Sequence, residues 1–491
     1  MTDTQKKQAA EFADSPGKLD NWIAGRTTPP TTGDYSTGIS PATGEATVDV
    51  ANSGEEDVER AVAAAHAAAR NWKRFPSAER GRILTRIAHI MRDEANRLAD
   101  LEISDTGKPR ATALGEIENS AAYFEFYAGL VNLPAGDVID VEPDQHNFTR
   151  REPYGVIGVI TPWNVPLNQA ARAVAPALTS GNTVVIKPAE VSSQTTVELA
   201  RIAQRAGLPD GVLNVVLGRG SVAGEALVKH DLVRKVAFTG SVQTGRRIGQ
   251  IAAERIIPLT LELGGKSAIV VFADADLEVA AREAVRAFTG NSGQVCSAGS
   301  RLLVERSVHE EFVARVTAIA AELKAGVDLG PMITGAQYQQ VQDYFRVARE
   351  EGAEAALGGE LGAEERESGG YFVPATIYRG VDNEARIARE EIFGPVLVAM
   401  PFDDERDAIR IANDSEFGLV AGVFTADIGR AFRVADEIEA GQVFVNSWST
   451  GAVQTPFGGH KNSGYGREKG IEALMHYTHL KTVVFSYGAA T

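Results

Sequence analysis

Cys296 is the only cysteine of the 491-residue chain, and it closes the run Gly290-Asn-Ser-Gly-Gln-Val-Cys296. A single thiol makes neither an internal disulfide nor a multi-thiolate metal site. Two readings remain, an inert thiol buried in packing or a nucleophile. Packing calls for apolar neighbours. Gly290, Asn291, Ser292, Gly293, Gln294, Ser297 and Gly299 instead surround this sulfur with small and polar residues that let backbone and solute come close. Upstream, Glu262 lies in Leu261-Glu-Leu-Gly-Gly-Lys266. A carboxylate there can serve a nucleophilic thiol as general base, or it can be an ordinary charge at a strand end.

Residues so far apart in the chain need a scaffold to meet. From Val156 onward short apolar runs recur at 156–160, 183–187, 212–216, 233–238 and 259–263, each pair separated by enough chain for a turn and a crossover helix. This pattern predicts a βα array with a parallel sheet, in which ligands bind beyond the carboxyl ends of the strands. Three glycine motifs follow those runs. Gly218-Arg-Gly-Ser-Val-Ala-Gly224 resembles a dinucleotide fingerprint, although Asp231 lies too close downstream for the usual ribose contact. Gly264-Gly-Lys-Ser267 looks like the tail of a phosphate loop but has Thr260 where that loop needs glycine, which excludes it. Gly240-Ser-Val-Gln-Thr-Gly245 joins a strand to a helix and is either a pyrophosphate site at the helix N-terminus or a tight turn. Ahead of the array, Ser53 and Glu56 read as a capping box for a helix whose Val58, Ala61, Val62, Ala65, Ala69 and Trp72 share a face. A second helical stripe runs from Ile83 to Leu101; both are packing surfaces.

Composition limits the partners. With 44% hydrophobic residues the chain sustains a large core, and its length fits two or three domains. Its 65 acidic against 49 basic residues, a net charge of −16, argue against nucleic acid or an anionic membrane as partner of the whole protein. Met1 to Lys18 is polar and lacks the apolar core of a secretory signal, and no run approaches the roughly 18 apolar residues of a membrane helix. A soluble, cytoplasmic protein is expected. His476 and His479 have helical metal spacing, but Tyr477, Thr478 and Leu480 offer no third ligand, so no metal site is expected.

Taken together, the motifs resemble one family over nearly the whole chain, the NAD(P)-dependent aldehyde dehydrogenases. They are, in order, Thr161-Pro-Trp-Asn-Val-Pro166, Lys187-Pro-Ala-Glu190, Phe238-Thr-Gly-Ser241, Leu261-Glu-Leu-Gly-Gly-Lys266, Gly293-Gln-Val-Cys296, Glu390-Glu-Ile-Phe-Gly-Pro395, Pro456-Phe-Gly-Gly459 and Ser463-Gly-Tyr-Gly-Arg-Glu468. The resemblance implies an α/β fold of the aldehyde dehydrogenase type. It places a Rossmann-type parallel-sheet NAD-binding domain in residues 1–135 and 155–262 and an α/β catalytic domain in 263–460. A small β oligomerisation flap is expected from 136–154 and 461–491, with Lys481–Phe485 pairing near 136–154. Homodimers or homotetramers are expected.

The resemblance also assigns roles. Cys296 attacks the aldehyde, and the Asn164 amide with the Cys296 backbone N–H holds the oxyanion of the thiohemiacetal. Hydride loss leaves a thioester that water, activated by Glu262, hydrolyses, with Glu468 assisting proton relay. Lys187 and Glu190 match the adenosine-ribose pair, Ser241 the pyrophosphate contact, and Trp163 the adenosine side of the site. Glu391 and Phe393 match the nicotinamide-ribose side, with Gly218, Gly240, Gly245 and Leu263 completing the expected cofactor surface. The Glu190 carboxylate accepts hydrogen bonds from a ribose hydroxyl and repels a 2′-phosphate, so NAD is expected over NADP. Val165, Asn168, Gln169, Arg172 and Trp448 are expected around the small-molecule aldehyde, giving a wide, polar tunnel. Arg172 falls where succinate-semialdehyde dehydrogenases of the family bind a distal carboxylate, although their second arginine position is Gly290 here; an arginine without substrate contact is the other reading. Two further classes were weighed. A catalytically silent, crystallin-like relative does not need Cys296, Glu262 and Asn164 together, and a coenzyme-A-acylating enzyme typically lacks the glutamate base.

Overall fold

The computed structural model describes residues 17–133, 135–448 and 451–487. Most of the polar stretch at Met1 to Lys18 therefore lies outside the described residues. Among them, no helix is long and apolar enough to cross a membrane.

Two sheets carry the chain. The first has eight strands in the spatial order Gly464–Tyr465, Leu259–Glu262, Val233–Thr239, Val156–Ile160, Thr183–Lys187, Leu213–Val215, Asn21–Ile23 and Arg26–Thr28. The middle five pair in parallel, and they are the strands predicted from the apolar runs, with bounds shifted by no more than a residue. Their nearly continuous burial follows from helices on both faces of the sheet. Sequence order runs one way from Val156–Ile160 through Thr183–Lys187 and then jumps to the other side at Val233–Thr239. That reversal leaves a crevice beyond the strand ends, where Trp163, Asn164, Glu190 and Ser241 follow.

The second sheet has seven strands, in the order Glu354–Leu357, Thr376–Arg379, Val396–Phe402, Gly299–Glu305, Ser267–Val271, Val420–Phe424 and Gln442–Val445. The chain crosses from Glu262, last residue of its strand in the first sheet, to Ser267 in the second through Leu263-Gly-Gly-Lys266. Cys296 precedes the Gly299–Glu305 strand, so carboxylate and thiol both lie where the sheets adjoin.

A third, three-stranded sheet joins Val138–Ile139, Gln145–Pro153 and Thr478–Ser486, with Lys481 opposite Arg150 and Phe485 opposite His146. Val138, Ile139, Leu480, Val484 and Phe485 are exposed on it. Residues 461–487 thus divide between two places. Gly464–Tyr465 extends the first sheet antiparallel to Leu261–Glu262, and Thr478–Ser486 builds the flap.

Two local readings are corrected. The first helix is Glu55–Arg74, with Asp57 and not Glu56 closing its N-terminus: Gly54 N donates to Asp57 Oδ2 at 3.2 Å. Ser53 cannot cap it because its hydroxyl donates to Asn21 Oδ1 at 2.8 Å, a tertiary contact that outcompetes the local one. The stripe from Ile83 to Leu101 is two helices, Ser77–Asp93 and Ala95–Thr106, broken at Glu94.

Candidate active site

Two cavities meet at Cys296. One, about 440 Å³, has Val165, Gln169, Arg172, Trp448, Phe457 and Lys469 in its wall; the other, about 230 Å³, has Trp163, Ser241, Glu262, Leu263, Glu391 and Phe393. Asn164, Gln169 and Cys296 belong to both walls. A group bound in either space therefore reaches the same sulfur.

The cysteine loop is held under strain. Asn291 and Ser292 have φ of +48° and +55°, a left-handed backbone that costs non-glycine residues about 1 kcal/mol or more each. Gly293 follows at φ +73°, and a Cβ on it would lie 2.1 Å from the Gly394 carbonyl oxygen, so only glycine fits. Side chains pin the loop from outside. Ser292 Oγ donates to Gly330 O at 2.8 Å, Gln294 Nε2 donates to Pro331 O at 3.1 Å, and Gln294 Oε1 accepts from Ile333 N at 2.9 Å.

Asn164 is tied to this loop. Its Nδ2 donates to Gln294 O at 2.8 Å, leaving one amide hydrogen uncommitted in the buried space beside the thiol. Its backbone carbonyl accepts from Asn291 Nδ2 at 3.0 Å and from the buried Lys108 Nζ at 3.1 Å. Lys108 in turn donates to Glu116 Oε2 at 2.5 Å, with Glu102 Oε1 at 3.8 Å. Burial pushes Glu116 up to about 8 despite this lysine. The sequence did not single out Lys108 or Glu116; nothing in Thr106-Gly-Lys-Pro109 signals a partner beyond the next helix.

Glu262 is buried, and neither carboxylate oxygen has a hydrogen-bond partner in the protein. Burial, and then the nearby Glu468, raise its pKa well above the usual carboxylate range. Gly458 makes room for it, since a Cβ there would lie 2.8 Å from Glu262 Oε1. Cys296 is partly open to the cavities, yet burial pushes its thiol up to about 11 against the opposing influence of Arg172.

Arg172 is the chief correction among the site residues. It lines the larger cavity, but it is buried in an ion pair with the equally buried Glu468, and its Cζ lies 5.0 Å from the centre of the Phe457 ring. Burial opposes its charge, and Glu468 with smaller contributions from Tyr123 and Glu262 outweighs that, so its pKa lies above the ordinary value. A guanidinium committed in this way is neither an exterior salt bridge nor a free clamp for a substrate carboxylate. Glu468 reaches it because Gly464–Tyr465 pairs beside Glu262, and Phe457 and Glu468 then exchange backbone hydrogen bonds of 2.7 and 2.8 Å.

On the other side, Trp163 and Phe393 meet edge to face, with ring centres 5.4 Å apart. Glu391 Oε1 accepts from Gly265 N at 3.0 Å, and burial pushes Glu391 up to about 7. Gly264 permits this approach, because a Cβ there would fall 2.1 Å from Glu391 Oε2. Ser241 caps the helix Val242–Arg255, accepting from Thr244 N at 3.3 Å. Lys187 Nζ donates to Gly218 O at 2.9 Å and stands 3.5 Å from Glu190 Oε2; these three lie outside the two cavity walls, at the end of the adjacent strand. Gly245 lies within its helix against Leu263 and lines neither cavity, so its smallness serves packing. Trp448 is buried, and its backbone N donates to Glu283 at 2.5 Å. His476 ends a short helix and His479 lies in the flap strand; among the described residues no cluster of metal-ligating side chains occurs.

The sequence profile of the aldehyde dehydrogenase family matches residues 29–483. The chain belongs to the aldehyde dehydrogenase family. This aldehyde dehydrogenase is 41% identical to a betaine aldehyde dehydrogenase of Brucella anthropi over 96% of its own length and 98% of that protein. Its identity to a betaine aldehyde dehydrogenase of Bacillus subtilis is 39%, over 91% and 93% of the two chains. Its fold is similar to a crystal structure of a Staphylococcus aureus betaine aldehyde dehydrogenase in complex with NAD+, with a TM-score of 0.94, 35% identity, and coverage of 96% and 95%.

Proposed function

We propose that this aldehyde dehydrogenase oxidises a small aldehyde to its carboxylic acid with NAD, through a covalent adduct on Cys296. The observation that carries the reading is the shared wall of the two cavities. Cys296 and Asn164 face both spaces, and Glu262 stands on one of them with its carboxylate unbonded to protein.

The surfaces around the smaller cavity fit a dinucleotide. The N-terminus of the fourteen-residue helix Val242–Arg255, capped by Ser241, suits a pyrophosphate. The half-exposed Glu190 carboxylate suits ribose hydroxyls and disfavours a 2′-phosphate, and Glu391 with Phe393 suits the nicotinamide-ribose half. When bound, NAD supplies the hydride acceptor.

Addition of the Cys296 sulfur to the carbonyl carbon turns the carbonyl oxygen into an oxyanion. The free amide hydrogen of Asn164 and the Cys296 backbone N–H donate to it, an arrangement that lowers the barrier only if held rigid. The bonds from Gln294, Asn291 and Lys108 supply that rigidity. Loss of hydride leaves a thioester on Cys296, which water must open. Glu262 accepts the water proton, and its raised pKa makes it an effective acceptor near neutral pH. Glu468, held by Arg172, is the next acid that the proton meets.

The exposed apolar flap supports assembly with further copies of the chain, as a homodimer or homotetramer. The test of the function is NADH formation across a panel of neutral, carboxylated and cationic aldehydes, betaine aldehyde among them, with NADP and coenzyme A arms. Turnover with NAD and water supports the reading. Strict dependence on coenzyme A, or no aldehyde-dependent NADH, overturns it.

A further inference from the structure

Among the described residues, the charged groups on the wall of the larger cavity are Glu116, Arg172, Arg286 and Lys469. The first three each sit in an ion pair, with Lys108, Glu468 and Glu283 respectively, and each pair is neutral as a unit. Lys469 adds an ammonium to the same wall as the Cys296 sulfur. It is 4% exposed, and its Nζ lies 5.0 Å from the centre of the Phe457 ring, the ring that Arg172 also contacts.

The fold holds this lysine deliberately. Its φ is +59°, unfavourable for any residue but glycine. The bonds between Phe457 and Glu468 fix the chain just before it, and Gly470 N donates to Val453 O at 2.9 Å just after it. A strained backbone pinned on both sides is a costly way to bury a charge that faces nothing of use.

Burial, followed by the repulsion of Arg172, lowers the Lys469 pKa to about 8, which still leaves it mainly protonated at neutral pH. A negative group entering the cavity restores to this ammonium the stabilisation that burial removed. A quaternary ammonium, as in betaine aldehyde, brings a like charge into a poorly hydrated space and is repelled. One ammonium matches one negative charge, which favours a carboxylate over a dianionic phosphate.

Resting on the aldehyde oxidation proposed above, we infer that the cavity selects aldehydes that carry a carboxylate, and that Lys469 is the residue that reads it. This assigns to Lys469 the task that Arg172 cannot perform while paired with Glu468. The relatives named for betaine aldehyde and this chain then differ in the charge of their substrates.

The experiment compares kcat/KM for ω-carboxylated aldehydes of increasing length, neutral aldehydes of matched length and betaine aldehyde. The parent enzyme is expected to rank them in that order. Lys469→Met, which keeps an unbranched chain on Phe457, is expected to lower the carboxylated-to-neutral ratio by about one to two orders of magnitude, the range of a charge-assisted bond. Lys469→Arg is expected to restore most of the ratio. An unchanged ratio in Lys469→Met, or a parent that prefers betaine aldehyde, overturns the inference. If Lys469→Met does not fold, straight-chain carboxylates and tetramethylammonium are compared on the parent as protectants of Cys296 against alkylation. Better protection by the carboxylates supports the inference, and better protection by tetramethylammonium overturns it. This readout needs no turnover, so it also separates failure of the carboxylate preference from failure of the reaction class.

Discussion

Glu262→Gln exchanges a carboxyl for an amide of nearly the same size at a buried side chain whose oxygens bond to nothing in the protein. No hydrogen bond is lost, and the strand Leu259–Glu262 keeps its backbone pairing on both sides. Cys296, Asn164 and the bonds that hold Asn164 are untouched, so the aldehyde should still add and NADH should still form once. Deacylation loses its proton acceptor. A positioned general base contributes about 10²–10⁴-fold, which is about 2.7–5.5 kcal/mol of barrier. Stopped-flow absorbance should therefore show a burst of NADH stoichiometric with sites, followed by turnover slowed by about two to four orders of magnitude. Intact mass should show the trapped acyl group. Stability provides an independent check. Burial, then Glu468, raises the Glu262 pKa in the fold. A carboxyl shifted upward contributes its stability below the unfolded pKa of about 4.3 and loses it as pH rises through the folded value. At pH 7 to 8 the wild-type protein bears some of this loss and the glutamine variant does not, so the variant's Tm should equal or exceed the wild type's. Steady-state turnover near the wild-type rate without a burst would refute the base assignment. A lowered Tm would refute the claim that the carboxylate has no structural partner.

One equivalent of a thiol reagent should abolish activity, with aldehyde and NAD slowing the loss. Because burial pushes the Cys296 thiol up to about 11, the alkylation rate of the free enzyme should climb about tenfold per pH unit from pH 7 to 10, and a flat profile would contradict it. Arg172→Leu leaves Glu468 buried without its cation, which should cost about 3–5 kcal/mol in urea unfolding and impair carboxylated and neutral aldehydes alike. A loss confined to carboxylated substrates would show that Arg172 reads the substrate after all. Glu190→Gln removes the charge that repels a 2′-phosphate and should raise kcat/KM for NADP about tenfold, whereas equal use of both cofactors by the parent would refute the charge argument.

Continuous β-branched runs such as Val156–Ile160 and Thr183–Lys187 reveal their strands locally, because a strand buried on both faces needs apolar residues at every position. The positions after those strands were legible for the same reason, since a parallel sheet with crossover helices exposes its carboxyl ends to ligand. Cys296, Asn164 and Glu262 could thus be named from residue type and motif context, and the structure gathers them around two adjoining cavities. Contacts chosen by packing were not legible. Ser53 has the chemistry of a helix cap, but Asn21, distant in the chain, takes its hydroxyl and Asp57 takes the cap. Arg172 looks free in its helix, and only the return of the chain at Gly464–Tyr465 beside Glu262 delivers Glu468 to neutralise it. The same return buries Lys469 next to Cys296, and a helix from another part of the chain brings Lys108 to the Asn164 carbonyl. Residue type and local periodicity determine which groups can react and where strands form. Which charge stands opposite which in a desolvated cavity depends on sheet order and chain return, and that only the tertiary structure decides.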